Sequence, residues 1–520
     1  MRHTGQWRLP VLGLFSLSLA AVPQVASAKT MELVFRLKET VKLEELARRV
    51  TEPMSPQFGK FYSPEQIAEV AGPSAADYTL FLQSLKARGF EITRESPTRL
   101  IVSARAEASI VERTFKVKVL AAEPRGVRPD SAPLIPKDLG LSVSVSGLDT
   151  RRKSLPLFKQ GHPRASTRAL PFDEYDGIGP DAIKEMYHLA PIYKAGFSGK
   201  GQHIAIAGYD DYVLSDIQTY FMHILINPAP KVDGVIFNGA PHYDPESRVE
   251  NEMDAEFSGM IAPGAQIHLF MSSQNNDPGE VQLFTAILDD NRAKIANYSW
   301  GDCETHVSQQ HHQDMTKVFA RAVAQGVNIV AASGDWGSWG CPDNQKTTAD
   351  WPAAHPYVVG VGGTSAESYH HGVREEAWEF TGGGFSSIYP TPDWQSHMGI
   401  TGRGFPDVAF NGAPATGQPA WVHYPSTLQW IIVGGTSIGA PQWSGYLALV
   451  NEAKAAHTPG ATVGFLPPQL YSMTPAAWAA TFNDVVKGKN GAFKAAIGWD
   501  PTTGWGSMKG DALLDYLVTH

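Results

Sequence analysis

Asn328-Ile329-Val330-Ala331-Ala332-Ser333-Gly334-Asp335-Trp336-Gly337 reads as a strand that runs straight into a glycine-flanked carboxylate. Its apolar residues are continuous rather than alternating, the pattern of a strand covered on both faces. Similar runs stand at 203–208, 267–270, 295–298 and 357–361, and helical patterns near 213–224, 250–261, 279–290 and 313–325 lie between them. Strand and helix in alternation predict an α/β fold, a parallel sheet with helices on both faces. Chemistry on such sheets collects at the carboxyl ends of the strands, which is where Asp335 falls.

Ahead of this body the pattern changes. Residues 31–38 alternate as a strand, and 42–50 form a short amphipathic helix through Leu43, Leu46, Ala47 and Val50. Ser63-Pro64-Glu65 and Pro73-Ser74 each open a further helix, with Ser as the cap. Strands at 90–94 and 99–103, a helix near 107–114 and a strand at 115–120 complete a small α+β domain over 29–150. From 151 to 172 the chain holds Arg151-Arg152-Lys153, several prolines and few large apolar residues. That composition predicts an exposed basic linker, a natural place for proteolytic cutting.

The formal net charge of -9 hides a split at this linker. Residues 1–170 carry 26 Lys and Arg against 16 Asp and Glu, while 171–520 carry 17 against 36. So acidic a body argues against nucleic acid as a partner, since phosphates call for Lys and Arg. Pieces of opposite sign are instead expected to attract each other. The length of 520 residues and 43% apolar content call for more than one domain.

Residues 1–28 place Arg2 and Arg8 ahead of an apolar run from Pro10 to Val22, followed by Ala26-Ser27-Ala28. That order reads as a cleaved secretory signal. The alternative, an uncleaved anchor, would need a longer run, since a span takes about 20 apolar residues. The expected product is exported, extracellular or periplasmic, with no stable membrane anchor. Cys303 and Cys341 are the two cysteines. In an oxidising compartment an even pair suggests a disulfide, with two separate thiols as the other reading.

Three constellations could carry chemistry. In Gly434-Gly435-Thr436-Ser437-Ile438-Gly439-Ala440-Pro441 a strand-like run ends and an amphipathic helix opens. Small residues before a serine at a helix start expose its hydroxyl and leave backbone N–H groups free for an oxyanion; the same residues also make an ordinary helix cap. In Glu250-Asn251-Glu252-Met253-Asp254 the first and last carboxylates lie at i and i+4 on one helix face. Stacked so closely they would share protons, one serving as base and the other as its orienter. A solvated acidic face is the plain alternative, and Glu252 and Glu256 are expected to be just that. The third is Ser333-Gly334-Asp335, for which a turn aspartate is the plain alternative.

Together these motifs resemble the sedolisin family, the serine-carboxyl peptidases, which are similar to subtilisin in fold but use Glu where subtilisin has His. The resemblance covers essentially the whole chain: Ser55-Pro56-Gln57-Phe58-Gly59-Lys60-Phe61 in a pro-kumamolisin-type activation domain, the Glu-x-x-x-Asp helix with its Ala262-Pro263-Gly264-Ala265, Ser-Trp-Gly at 299–301, Ser-Gly-Asp at 333–335, and Gly-Thr-Ser-x-x-x-Pro at 435–441. It implies a subtilisin-like catalytic domain over 173–520 behind a ferredoxin-like prodomain that acts as intramolecular inhibitor and folding aid. Residue by residue it implies Ser437 as nucleophile, Glu250 as general base and acid, Asp254 as the group orienting Glu250, and Asp335 as the oxyanion-hole acid. Trp300 would extend the hydrogen-bond network behind the Glu.

The resemblance also implies one calcium ion near the C-terminus, held by the Asp484 and Asp500 side chains and the Val485, Ala496 and Gly498 carbonyls. Calcium takes six or more hard oxygens, which two carboxylates, carbonyls and water supply; Ala496 stands where the family has Gly. Cys303 and Cys341 follow the Ser-Trp-Gly and Ser-Gly-Asp segments closely, so a disulfide bracing the site's rim is expected. The histidine pairs His311-His312 and His370-His371 have no catalytic partner in sequence and read as surface residues.

The implied activity is serine-type endopeptidase action on protein and peptide substrates by a monomeric, self-processing zymogen cut within 151–172. Asp335 donates to an oxyanion only while protonated, so activity is expected in acid. Acid would also neutralise the body and loosen its basic prodomain. The alternatives are an exo-acting tripeptidyl-peptidase of the same family and a catalytically dead secreted binding protein.

Overall fold

The parallel sheet that the sequence predicts runs in the order Lys231–Phe237, Gln266–Ser272, His203–Tyr209, Ile295–Tyr298, Asn328–Ala332, Val358–Ser368, Val408–Asn411 and Ser507–Met508. These strands are mutually parallel, Phe482–Asn483 closes the far edge antiparallel, and Arg374–Ala377 pairs antiparallel with Val358–Ser368. The structure is a computed structural model that describes residues 30–122, 126–161, 177–240, 242–341, 346–368, 373–424 and 427–520. The signal segment 1–28, the linker's second half and His370-His371 lie outside them.

Five strands of this sheet escape the sequence reading: Lys231–Phe237, Arg374–Ala377, Val408–Asn411, Phe482–Asn483 and Ser507–Met508. Lys231–Phe237 is an edge strand with mostly exposed residues, Asp233 and Gly234 among them, so no apolar run marks it. Val408–Asn411 is only 4 residues long.

Each face of the sheet carries its own apolar layer. On one face Val330, Val359, Val361 and Val408 join Met253, Phe257, Trp443 and Leu447 of helices Pro245–Ile261 and Thr436–His457. On the other, Ala296, Tyr298, Ile329 and Ala331 join Phe284, Ile287 and Phe319 of helices Asp277–Asp290 and Gln309–Ala324. Each such large side chain contributes about 1.5–3 kcal/mol by leaving water, and the unbroken Val and Ala runs follow from being covered twice.

The front domain is a βαββαβ unit whose four antiparallel strands lie in the order Glu91–Glu95, Ile101–Glu107, Thr30–Leu37, Ser142–Ser146. That is the ferredoxin-like arrangement expected. Its helix Pro64–Val70 starts with a full capping box: Gln66 N–H donates to Ser63 Oγ at 3.2 Å and Ser63 N–H to Gln66 Oε1 at 2.8 Å.

This domain sits on helices Asp277–Asp290 and Gln309–Ala324. Leu43, Leu46 and Ala47 pack with Ala320, Val323 and Ala324, while Val34 and Ile101 enter the layer built on Phe284 and Phe319. Arg36 pairs with Asp314 at 2.6 Å and Arg94 with Asp289 at 3.4 Å, basic residues in front and acidic ones behind. Lys317 with Glu39 and Glu44 reverses that sign.

Three expectations are corrected. The linker is not simply exposed, because in 151–161 Arg152, Ser154 and Leu157 are enclosed by the catalytic domain. Glu252 and Glu256 are buried rather than solvated. Helix Pro245–Ile261 is walled in by the sheet, helix Leu214–His223, the hairpin Gln418–His423/Leu428–Gly434 and helix Thr436–His457, leaving no wet face for most of its length. His311 and His312 are also buried, His312 with Nε2 2.9 Å from the Glu304 carbonyl and Nδ1 2.8 Å from the Tyr389 hydroxyl.

Candidate active site

Strand Leu428–Gly434 delivers the chain to Gly435, which turns it with φ 106° into helix Thr436–His457, so Ser437 is the second residue of that helix. Only glycine holds that φ easily, and here it is also required for space. A methyl on Gly435 would lie 2.4 Å from the Leu157 carbonyl oxygen and 2.6 Å from Asp335 Oδ2. Those two oxygens therefore converge on one spot beside the serine.

Asp335 follows the strand Asn328–Ala332 through Gly334, whose φ is 108°. Its Oδ1 accepts from the Thr436 N–H at 2.8 Å and the Thr436 hydroxyl at 2.9 Å, while the buried Oδ2 has no hydrogen-bond partner among the described residues. Burial pushes its pKa up to about 6, against the Lys159 charge and the Thr436 hydrogen bonds. It is thus a carboxyl that gains a proton in mild acid with one oxygen still free to donate.

Glu250 and Asp254 project from helix Pro245–Ile261 and are fully buried. Burial raises the Glu250 pKa first, then the neighbouring charges of Asp254 and Asp335; the nearby Ser437 hydroxyl and Leu157 backbone oppose the rise. Among the described residues, neither Glu250 oxygen nor Ser437 Oγ completes a hydrogen bond of good geometry. Asp254 is likewise raised by burial, and its Oδ1 accepts from the Ser299 hydroxyl at 2.7 Å. The structure thus brings together Ser437, Glu250, Asp254 and Asp335, named from separate motifs. Trp300 follows Ser299 directly, but its indole N–H finds no partner among the described residues and its ring packs edge-on against Tyr209 at 5.1 Å.

Ser299 escaped notice within its own motif, although it holds Asp254 and receives the Asn297 amide at 3.1 Å. The cleft itself is filled by the chain's own linker. Leu155–Pro156 pairs antiparallel with Trp300–Cys303, and Lys159–Gln160 with Leu428–Gly434. Between them the Leu157 N–H donates to the Ser299 carbonyl at 3.0 Å, and the Leu157 carbonyl accepts from the Ser437 N–H at 3.1 Å. Lys159 Nζ lies 3.8 Å from the centre of the Trp336 ring. No sequence pattern marks 155–160 as strand-forming; its partners are supplied by the cleft.

The rim is braced by the Cys303–Cys341 disulfide, with Cα atoms 5.3 Å apart. At the C-terminal loop Asp500 is buried: its Oδ1 accepts from Thr502 N–H at 2.8 Å and Thr503 N–H at 3.0 Å, and its Oδ2 from Ala496 N–H at 3.1 Å. Asp484 accepts from the Gly498 N–H at 3.3 Å, and burial followed by the Asp500 charge raises its pKa. The Asp484 and Asp500 carboxylates lie near enough to repel one another, and carboxylate oxygens are ligands that a hard cation takes.

A subtilisin-type sheet, a serine at a helix start and a leading domain whose linker fills the cleft define the class. Residues 19–149 match the family described as Pro-kumamolisin, activation domain, and residues 244–498 match the Subtilase family. The chain is 34% identical to kumamolisin of Bacillus sp. (strain MN-32), over 73% of this chain and 71% of that protein. It is 29% identical to sedolisin of Pseudomonas sp. (strain 101), over 97% and 90%, and 27% identical to tripeptidyl-peptidase 1 of Mus musculus, over 99% and 95%. The solved Pseudomonas sedolisin, complexed with two molecules of pseudo-iodotyrostatin, matches with a TM-score of 0.59 at 28% identity, covering 66% of this chain and 98% of that one. The chain belongs to the sedolisin family of serine-carboxyl peptidases. It is a peptidase with a pro-domain activation region.

Proposed function

We propose that the chain is the exported zymogen of an acid-acting endopeptidase that cuts its own linker between Leu157 and Phe158. The observation that carries this reading is the threading of 155–160 through the cleft, with the Leu157 carbonyl on the Ser437 N–H. A cleft that admits chain continuing on both sides suits internal bonds, whereas a tripeptidyl-peptidase needs its acyl side closed after three residues.

In this reading Glu250 takes the Ser437 proton as Oγ attacks the Leu157 carbonyl carbon. The oxyanion is held by the Ser437 N–H and by Asp335 Oδ2–H. Glu250 then returns the proton to the Phe158 nitrogen, the C–N bond breaks, and water hydrolyses the acyl-enzyme by the reverse sequence. Asp254, fixed by Ser299, orients Glu250. A proton on Asp335 supplies the oxyanion donor and also removes a negative neighbour that raises the Glu250 pKa, so it favours Glu250 as base. Since Asp335 protonates around 6, processing and turnover belong below neutrality.

Asp484 and Asp500 with the Val485, Ala496 and Gly498 carbonyls would hold one calcium ion, which would pin the C-terminal loop rather than join the chemistry. Residues 1–28 direct export, and the mature enzyme works as a monomer.

The test is acid incubation of purified full-length chain. The wild type is expected to shorten itself, with a new N-terminus at Phe158 by mass spectrometry, and then to cut denatured protein internally; Ser437→Ala should do neither. A wild type as inert as Ser437→Ala would end the peptidase reading, and release of tripeptides alone would replace the endopeptidase with the exo-acting enzyme.

A further inference from the structure

Of the basic triplet 151–153, one side chain alone is driven into the catalytic domain. Arg151 folds back on Asp149 with 53% of its side chain exposed, and Lys153 reaches Asp244 at 3.7 Å, while Arg152 is 7% exposed. Its guanidinium uses its whole fork. Nε donates to Asp277 Oδ1, Nη1 to Ser154 Oγ at 3.1 Å and Nη2 to Glu280 Oε2, and Nη2 also lies 3.1 Å from His311 Nε2.

The socket is built by the catalytic domain. Asp277 and Glu280 stand in the first turn of helix Asp277–Asp290, and Glu280 is wholly buried with Oε1 accepting from the Trp351 indole at 2.9 Å. His311, from helix Gln309–Ala324, faces the same space with Nε2 2.9 Å from Glu280, and its buried Nδ1 has no hydrogen-bond partner among the described residues. Burial works to raise the Glu280 pKa, but the Arg152 charge and His311 outweigh it and hold the group down at about 2. None of these residues has a part in the bond-breaking steps above.

We propose that Asp277, Glu280 and His311 form a guanidinium subsite of the peptidase, filled by Arg152 in the zymogen and by a substrate arginine in the mature enzyme. The inference rests on the reading that Leu157 supplies the scissile carbonyl. Arg152 lies five residues upstream of it in the chain, about 17 Å if that stretch is extended. Once the bond is cut, the acyl-side product carries Arg152 away. Buried Glu280 is then left without its cation, a costly state that favours capture of another planar, doubly donating cation over lysine. The substrates selected would be extended chains with arginine as the sixth residue before the cut, five ahead of the one that supplies the scissile carbonyl.

The test uses acid-activated enzyme and two peptides spanning 149–161, one as in this chain and one with Arg152→Gln, at about pH 5, where exposed carboxylates are ionised. The Arg peptide is expected to be cut with kcat/KM about ten- to a hundred-fold higher, carried by KM, as befits charge-assisted hydrogen bonds made equally in ground and transition states. Glu280→Gln enzyme should treat the two alike. Should that variant not fold, the wild-type enzyme still decides: the 149–157 product peptide should inhibit more strongly with Arg152 than with Gln. Equal kcat/KM and equal inhibition would overturn the subsite and leave the peptidase intact. Cleavage of neither peptide would overturn the peptidase reading on which the subsite stands.

Discussion

Asp335 and Lys159 set the residue-scale chemistry. The Lys159 ammonium lowers the pKa of the oxyanion acid while the linker is in place. Replacing it by an uncharged chain of similar length, Lys159→Met, is expected to raise that pKa and shift the pH midpoint of self-processing upward, read from gels of zymogen held at graded pH. An unmoved midpoint would mean that another group limits the reaction. Ser299→Ala should act on kcat rather than KM, with a loss of about two- to ten-fold for a neutral hydrogen bond, because it frees Asp254 without touching substrate; steady-state kinetics on one peptide separates the two. The four acidic and serine residues were legible jointly, through the order in which their motifs occur and the resemblance that order carries; each local signal alone, a strand end, a helix start or an i, i+4 pair, also fits a turn, a cap or an acidic face. Arg152 and Leu157 were not legible, since what makes them important is the pocket that receives them, built from residues more than a hundred positions away.

At the scale of elements, the turn into helix Thr436–His457 and the 484–500 loop are the two most exacting segments. Gly435→Ala would strain a φ of 106° and push a methyl onto the Leu157 carbonyl and Asp335 Oδ2. A fold that survives with circular dichroism unchanged but activity lost is expected, since the strain of about 1–3 kcal/mol is affordable globally and the clash falls on the site. In the C-terminal loop the two aspartates should behave differently. Asp500 is committed to three backbone N–H groups, so Asp500→Asn should destabilise with or without calcium. Asp484 has, among the described residues, only the long contacts to Gly498, so Asp484→Asn should abolish the drop in melting temperature that a chelator is expected to cause in the wild type. A wild type indifferent to chelator would remove the calcium site. Core strands were legible because a strand covered twice is continuously apolar. The edge strand Lys231–Phe237 was not, because half of its environment is water, and the burial of Glu252 and Glu256 depends on four neighbouring elements that helix periodicity alone does not locate.

For the molecule as a whole, the charge split becomes a set of particular contacts. The basic front domain does meet an acidic surface, but Val34, Ile101, Leu43 and Leu46 lie among the same contacts, and the carboxylates of Asp289 and Asp314 are nearly buried. Salt screens exposed charges over about 8–10 Å and reaches buried pairs much less. Protonation reaches both. Glu280 has a folded pKa of about 2 against 4.5 ordinarily, so its contribution is present above 4.5 and lost as the pH falls towards 2, on the order of 3 kcal/mol in all. Asp277, also lowered despite burial by His311 and Arg152, adds to it over the same direction. Glu32, raised by burial, works in the opposite sense and gains stability in acid. The linker anchor is therefore expected to release between about pH 4.5 and 2, whereas molar salt at neutral pH should leave it in place. Hydrogen exchange of 150–161 in the uncleavable Ser437→Ala zymogen checks both arms. Loss of protection in neutral salt equal to that in acid would show that net charge, and not the Arg152 pairing, holds the linker in the cleft.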